Sequence, residues 1–112
     1  METFRKGDIV IFPFPYTDLS KRKLRPCLVI SNEMIEDIIL CQITSQKIRA
    51  DKFSVELKKY ETIEGTLFID SYIRTNMIFT ADMSLVVKKI CRVDDNKYND
   101  VISNIIKIIS KQ

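Results

Sequence analysis

The feature that most constrains this chain is its punctuation. Short apolar runs follow one another through about 90 residues, each ended by a proline, a glycine or a polar turn, before the spacing changes once to that of a helix. Asp8 to Phe14 (DIVIFPF) is β-branched and aromatic, opened by Gly7 and interrupted by Pro13. Proline belongs on edges and at bulges, so this strand is expected to end or bend there. Thr17 to Leu24 is polar and basic, either a mobile loop or the tip of a long hairpin. Pro26 to Ser31 and Ile38 to Thr44 are continuous apolar runs of buried-strand length, with Asn32 to Asp37 as the turn between them. Phe53, Val55 and Leu57 alternate with Ser54, Glu56 and Lys58, the period of a half-buried strand. Gly65 marks a turn, Thr66 to Ile73 reads as another strand, and Ile78 to Thr80 and Leu85 to Ile90 complete the β region. Asp94 and Asp95 then open a helix in which Tyr98, Val101, Ile102, Ile105, Ile106 and Ile109 form one apolar stripe. The fold class is mainly β with a C-terminal α-helix. So many short strands predict a small barrel, which removes free sheet edges, with the helix packed across it.

The 112 residues suffice for one domain and one core, so residues 1–112 are read as a single unit. No run approaches the ~18 apolar residues of a membrane span, and the N-terminus lacks a signal-type apolar segment. The expected location is the cytoplasm. Cys27 and Cys41 sit inside apolar runs, where a thiol acts as a small buried hydrophobe. With no histidine and no CxxC pair, no metal site and no cofactor are expected. The net charge of +3 says little, but Lys21, Arg22, Lys23 and Arg25 lie almost together between two apolar runs. Such a cluster reads either as a solvated loop or as a phosphate-contacting one.

Three stretches, in order, resemble the PemK/MazF toxins. Gly7-Asp8-Ile9-Val10 leads through the basic loop to Arg25-Pro26 and an apolar strand; Ile43-Thr44-Ser45-Gln46 ends the next strand; Ser71 to Asp82 precedes LVVKKI and the helix. The resemblance implies an SH3-like barrel of the PemK/CcdB type and a homodimer that cuts single-stranded mRNA at short sequences without a metal. It also implies a cognate antitoxin whose tail occupies the RNA groove, with DNA contacted only through that antitoxin.

The resemblance also assigns roles. Arg25 occupies the family's catalytic Arg-Pro position, where a guanidinium fork can meet the charge that gathers on a phosphorane-like transition state. Proline holds its predecessor extended, which would fix Arg25 where the loop enters the strand. Thr44 matches a hydrogen-bonding catalytic threonine, and Ser45 and Gln46 extend its polar surface. Arg74 matches an arginine that works beside an acidic residue two positions on, but here that residue is Asn76, which exchanges no proton. Arg74 is thus left to bind phosphate or to form a structural salt bridge. No histidine is present to act as a shuttle, and Asp18 is the available loop carboxylate. Lys21, Arg22 and Lys23 would hold the RNA backbone. Tyr16, more than Phe14, would stack on a base, since Phe14 can equally face the core. Three alternatives follow: an inactive RNA- or antitoxin-binding protein; a gyrase-targeting toxin, which would need a C-terminal tryptophan motif absent from this chain; and a generic SH3-like interaction module with no toxin role.

Overall fold

The computed structural model describes residues 3–15, 22–47 and 51–111. Its strands are β1 (Asp8–Pro15), β2 (Arg22–Val29), β3 (Asp37–Thr44), β4 (Ser54–Leu57), β5 (Thr62–Ile63), β6 (Ser71–Asp82) and β7 (Lys88–Val93), followed by α1 (Asp95–Ile109). They form one antiparallel sheet in the order β4-β6-β3-β2-β1-β7-β5, curled into a nearly closed barrel.

Neighbouring residues of the central strands go to opposite sides of the sheet. Ile9, Leu28, Cys41 and Ile43 join Val101 and Ile105 of α1 in one buried cluster. Val10, Cys27, Val29 and Leu40 join Phe4, Phe12 and Ile38 in another. Burial on both faces is why these strands read as unbroken apolar runs instead of alternating ones. The helix is started by Asp94, whose Oδ1 accepts from the Lys97 amide at 2.8 Å. Its buried residues Val101 and Ile105 each contribute about 1.5–3 kcal/mol of burial, whereas Ile106 and Ile109, at the far end of the stripe, are exposed.

An ion cluster pins the start of β1. The Asp8 carboxylate is buried and accepts from Arg92 Nη1 at 3.1 Å, with Lys89 Nζ at 3.3 Å. Glu64 completes it, pairing with Lys89 at 2.7 Å and with Arg5 at 3.1 Å. Gly65 follows at φ +126°, and a Cβ there would lie 2.1 Å from the Ile90 carbonyl oxygen, so only glycine fits.

Several strand boundaries differ from the expected ones. β1 does not stop at Pro13 but stays paired with β2 through Pro15–Arg22. Its pairing with β7 ends at Ile11, so Pro13 lies on an open edge where the missing N–H costs no ladder bond. Of the basic segment, Arg22, Lys23 and Leu24 belong to β2 and pair with β1, and Thr17 to Lys21 lie outside the described residues. Thr66 to Asp70 is not strand, and β6 absorbs Ile78–Thr80 into one 12-residue element. Leu85 and Val87 are exposed before β7, which starts only at Lys88. The short β5 edge, paired to β7, carried no sequence signal. All three cysteines are buried thiols. Burial pushes the Cys27 thiol pKa well up and that of Cys41 up to about 12, so neither is a nucleophile near neutrality.

Candidate nucleic-acid interface

Residues directly opposite in an antiparallel ladder share a face, so the registers alone place the polar side chains. Thr44 pairs with Tyr72, and Tyr72 with Glu56, giving one row across β3, β6 and β4. Two residues along, Arg74 pairs with Ser54, and Gln42 joins that row by accepting a hydrogen bond from Arg74 Nη1 at 3.3 Å. On β2, Cys27 pairs with Gln42, where the ladder ends; Arg25, two residues before Cys27, points to the same face of the sheet. One sheet face thus carries Thr44 and Arg74 in two rows about 7 Å apart, with Arg25 on the same face of β2.

The row containing Arg74 is shaped by an irregularity. Between the pairs Cys41–Ile78 and Ile43–Ile73, the single residue Gln42 of β3 faces the four residues 74–77 of β6. Such bulges bend a strand and re-aim its side chains. Thr75 ties this one down, its buried hydroxyl donating to the Phe53 carbonyl. Asn76 is exposed within it.

The electrostatics of this face are unusual for buried or half-buried arginines. Arg74 forms no ion pair among the described residues; its acceptor is the neutral Gln42 amide, and its Nε is buried without a hydrogen-bond partner. Arg25, half-buried and across from Phe12, likewise pairs with no carboxylate among the described residues. The ion pairs of the described residues use Arg5, Lys58, Lys89, Arg92 and Lys97 instead. Unneutralised guanidinia on one face attract an anion, and phosphate matches their fork.

Thr44 is 3% exposed, and its Oγ1 accepts from the Gln46 amide at 3.1 Å. It therefore turns the chain at the end of β3 and keeps one hydroxyl proton to donate. Ser45 and Gln46 are exposed immediately beyond it. Arg22 and Lys23 are exposed on β2. Arg25 is not at a loop–strand junction, as expected from Pro26, but is the fourth residue of β2, held by pairing on the Phe12 side. Phe14 packs with Phe12 and Phe79, each ring-centroid distance being 5.4 Å, so it is half-buried against the core. Tyr16, Asp18 and Lys21 lie outside the described residues.

Sequence reasoning missed Gln42 and Tyr72. Gln42 was legible, as the one amide in the run IILCQIT, two residues before Thr44 and hence on its face. Tyr72 needs the β3–β6 register, which no local signal supplies.

The fold and the polar face define a small antiparallel barrel of the toxin class. Residues 5–109 match the family model of the PemK-like, MazF-like toxin of type II toxin–antitoxin systems, and the chain belongs to that family. No curated protein matches it. Among solved structures, it is similar to the MazE–MazF complex from Deinococcus radiodurans, with 15% identity, a TM-score of 0.78 and both chains fully covered. A mycobacterial endoribonuclease in complex with its cognate antitoxin gives 14% identity and 0.74, covering 100% of this chain and 98% of that one. The Mycobacterium tuberculosis toxin MazF-mt6 gives 14% and 0.68, covering 92% and 98%. At these identities the likeness is one of fold: the SH3-like barrel of the PemK/CcdB type. Among the described residues, no helix is long and apolar enough to cross a membrane.

Proposed function

We propose that this toxin is a sequence-specific endoribonuclease of the cytoplasm that cuts single-stranded mRNA without a metal. It works as a homodimer and is restrained by a cognate antitoxin. The observation that carries this reading is the pair of arginines, Arg25 and Arg74, on one sheet face with Thr44 and with no carboxylate partner among the described residues.

In the proposed reaction the ribose 2′-oxygen loses its proton and attacks phosphorus. The bond from phosphorus to the 5′-oxygen breaks, and that oxygen takes up a proton. A 2′,3′-cyclic phosphate and a 5′-hydroxyl result. Arg25 supplies the fork that meets charge on the non-bridging oxygens as the phosphorane-like transition state forms, which is where fixed donors lower a barrier most. Arg74 offers its guanidinium charge to a phosphate, its orientation set by Gln42. Thr44 donates its remaining proton and keeps the turn to Gln46 in place. A guanidinium is too weak an acid to carry the protons near neutral pH. Asn76 cannot carry them either. We take Asp18, a carboxylate of the first loop, as the candidate for that role.

The test is wild type against Arg25→Ala on a mixed RNA with EDTA present and cut ends mapped. Cleavage by the wild type at recurrent short sequences, leaving cyclic phosphate ends, with the folded Arg25→Ala protein inert, is the expected result. Full cleavage by that variant would remove the mechanism. Intact RNA that is nonetheless bound by the wild type would favour the binding-only alternative, which Asn76 motivates.

A further inference from the structure

Next to the arginine rows the same face opens into a polar cavity of about 440 Å³ lined by Lys47, Asp51, Ser54, Glu56, Lys58 and Tyr72. The mechanism above uses none of these residues. Their placement follows from the registers: Glu56 and Tyr72 continue the Thr44 row, and Ser54 continues the Arg74 row. The cavity thus begins one strand beyond Thr44, within a nucleotide's reach of the site proposed to hold the phosphate.

Its chemistry is specific. Glu56 Oε1 lies 3.1 Å from Lys58 Nζ, so a carboxylate and an ammonium stand side by side at the rim, both partly exposed. Asp70, 4.0 Å from the same Nζ, steadies the lysine from its other side. Tyr72 is half-buried and offers a ring for stacking, as aromatic residues do for unpaired bases. An acceptor next to a cationic donor complements a base edge with adjacent N–H donors and a carbonyl. Guanine has that edge: its ring N–H and amino group face the carboxylate while O6 faces the lysine. Uracil presents one N–H between two carbonyls, one of which would be set against the carboxylate. Adenine and cytosine each offer an amino group but no second donor beside it.

We propose that this cavity is a guanine-selecting subsite, with Tyr72 stacking on the base, Glu56 accepting from its N–H donors and Lys58 donating to O6. The subsite rests on the ribonuclease reading for its biological substrate, a guanine adjacent to the cut phosphate, but its binding chemistry is testable without cleavage.

The full-length protein is titrated with the trinucleotides UGU, UAU, UCU and UUU bearing 2′-O-methyl sugars, which 2′-oxygen attack cannot cut, and binding is followed by amide NMR shifts. UGU should bind about 10-fold more tightly than UUU, the scale of one two-point base contact. The shifts should centre on residues 54–58 and Tyr72. Glu56→Gln, at an exposed side chain, should bring UGU and UUU within about twofold of each other. Equal binding of the four by the wild type, or a guanine preference that survives Glu56→Gln, would overturn the subsite. Free GMP binding as tightly as UGU would overturn its assignment to RNA. If the wild type cuts nothing while the Glu56-dependent preference holds, the ribonuclease reading fails and the subsite stands. If it cuts RNA with no guanine near the cut and Glu56→Gln changes nothing, the subsite fails and the ribonuclease reading stands.

Discussion

Two arginine environments divide this molecule. Arg92 is nearly buried and meets the buried Asp8 carboxylate at 3.1 Å, with Glu64 beyond, so its charge is neutralised inside the fold. Among the described residues, the Arg74 guanidinium has only the Gln42 amide as an acceptor, and its buried Nε has none. The first arrangement closes a sheet junction. The second keeps a cation partly desolvated with no carboxylate paired to it among the described residues, an arrangement with an uncompensated cost. The contrast separates charge neutralised within the fold from charge left without a carboxylate partner among the described residues, and the proposed phosphate role rests on the second.

The largest expected effect on this contrast is at Arg25. Arg25→Ala should lower the cleavage rate by ~10²–10³-fold, as loss of a fixed transition-state donor does, with an unchanged thermal unfolding curve. A comparable loss of melting temperature would place Arg25 with Arg92 among the structural cations. Asp8→Asn should act in the opposite sense, destabilising the fold by about 3 kcal/mol because Arg92 loses its buried partner. Chemical denaturation measures it, and RNA affinity should be unaffected at temperatures where the variant is folded.

Smaller effects sharpen the polar face. Gln42→Leu frees the Arg74 guanidinium and should cost roughly 10-fold in cleavage through orientation, seen in single-turnover kinetics, with little change in stability. Thr44→Ser keeps the hydroxyl and should retain most activity, whereas Thr44→Val removes it and should not; equal rates for the two would discard the hydroxyl's role. The smallest effect concerns acid. Hydrogen bonding from Lys89, with Lys89, Arg5 and Arg92 charged nearby, holds the Glu64 carboxyl below its ordinary value of 4.5. A lowered folded-state pKa contributes stability that is present above that ordinary value and lost as the pH falls through the lowered one. Melting temperature should therefore drop below pH 4.5, and Glu64→Gln should make that drop shallower.

The helix and the central strands were readable because their signals are local. The stripe Tyr98, Val101, Ile102 and Ile105 needs only helical spacing, and Asp94 needs only to precede it. Strand ends were harder. Pro13 was expected to end or bend β1, but whether a missing N–H matters depends on whether a neighbour lies on that side, and β7 stops short of it. Ile78–Thr80 looked separate from Ser71–Ile73 because the four residues of the bulge interrupt the pattern that β6 carries straight through. Arg25, Thr44 and Arg74 could each be picked out along the chain, yet nothing local says that they share a face.

The residue order alone determined the barrel class, the closing helix, the buried thiols and the identity of the candidate arginines, since periodicity and side-chain chemistry act within a few residues. Tertiary structure alone decided which cations are neutralised and which polar side chains line one cavity. Ladder register and the bulge at Arg74 set those neighbours across dozens of residues. A shift of one position would send each side chain to the other face of the sheet.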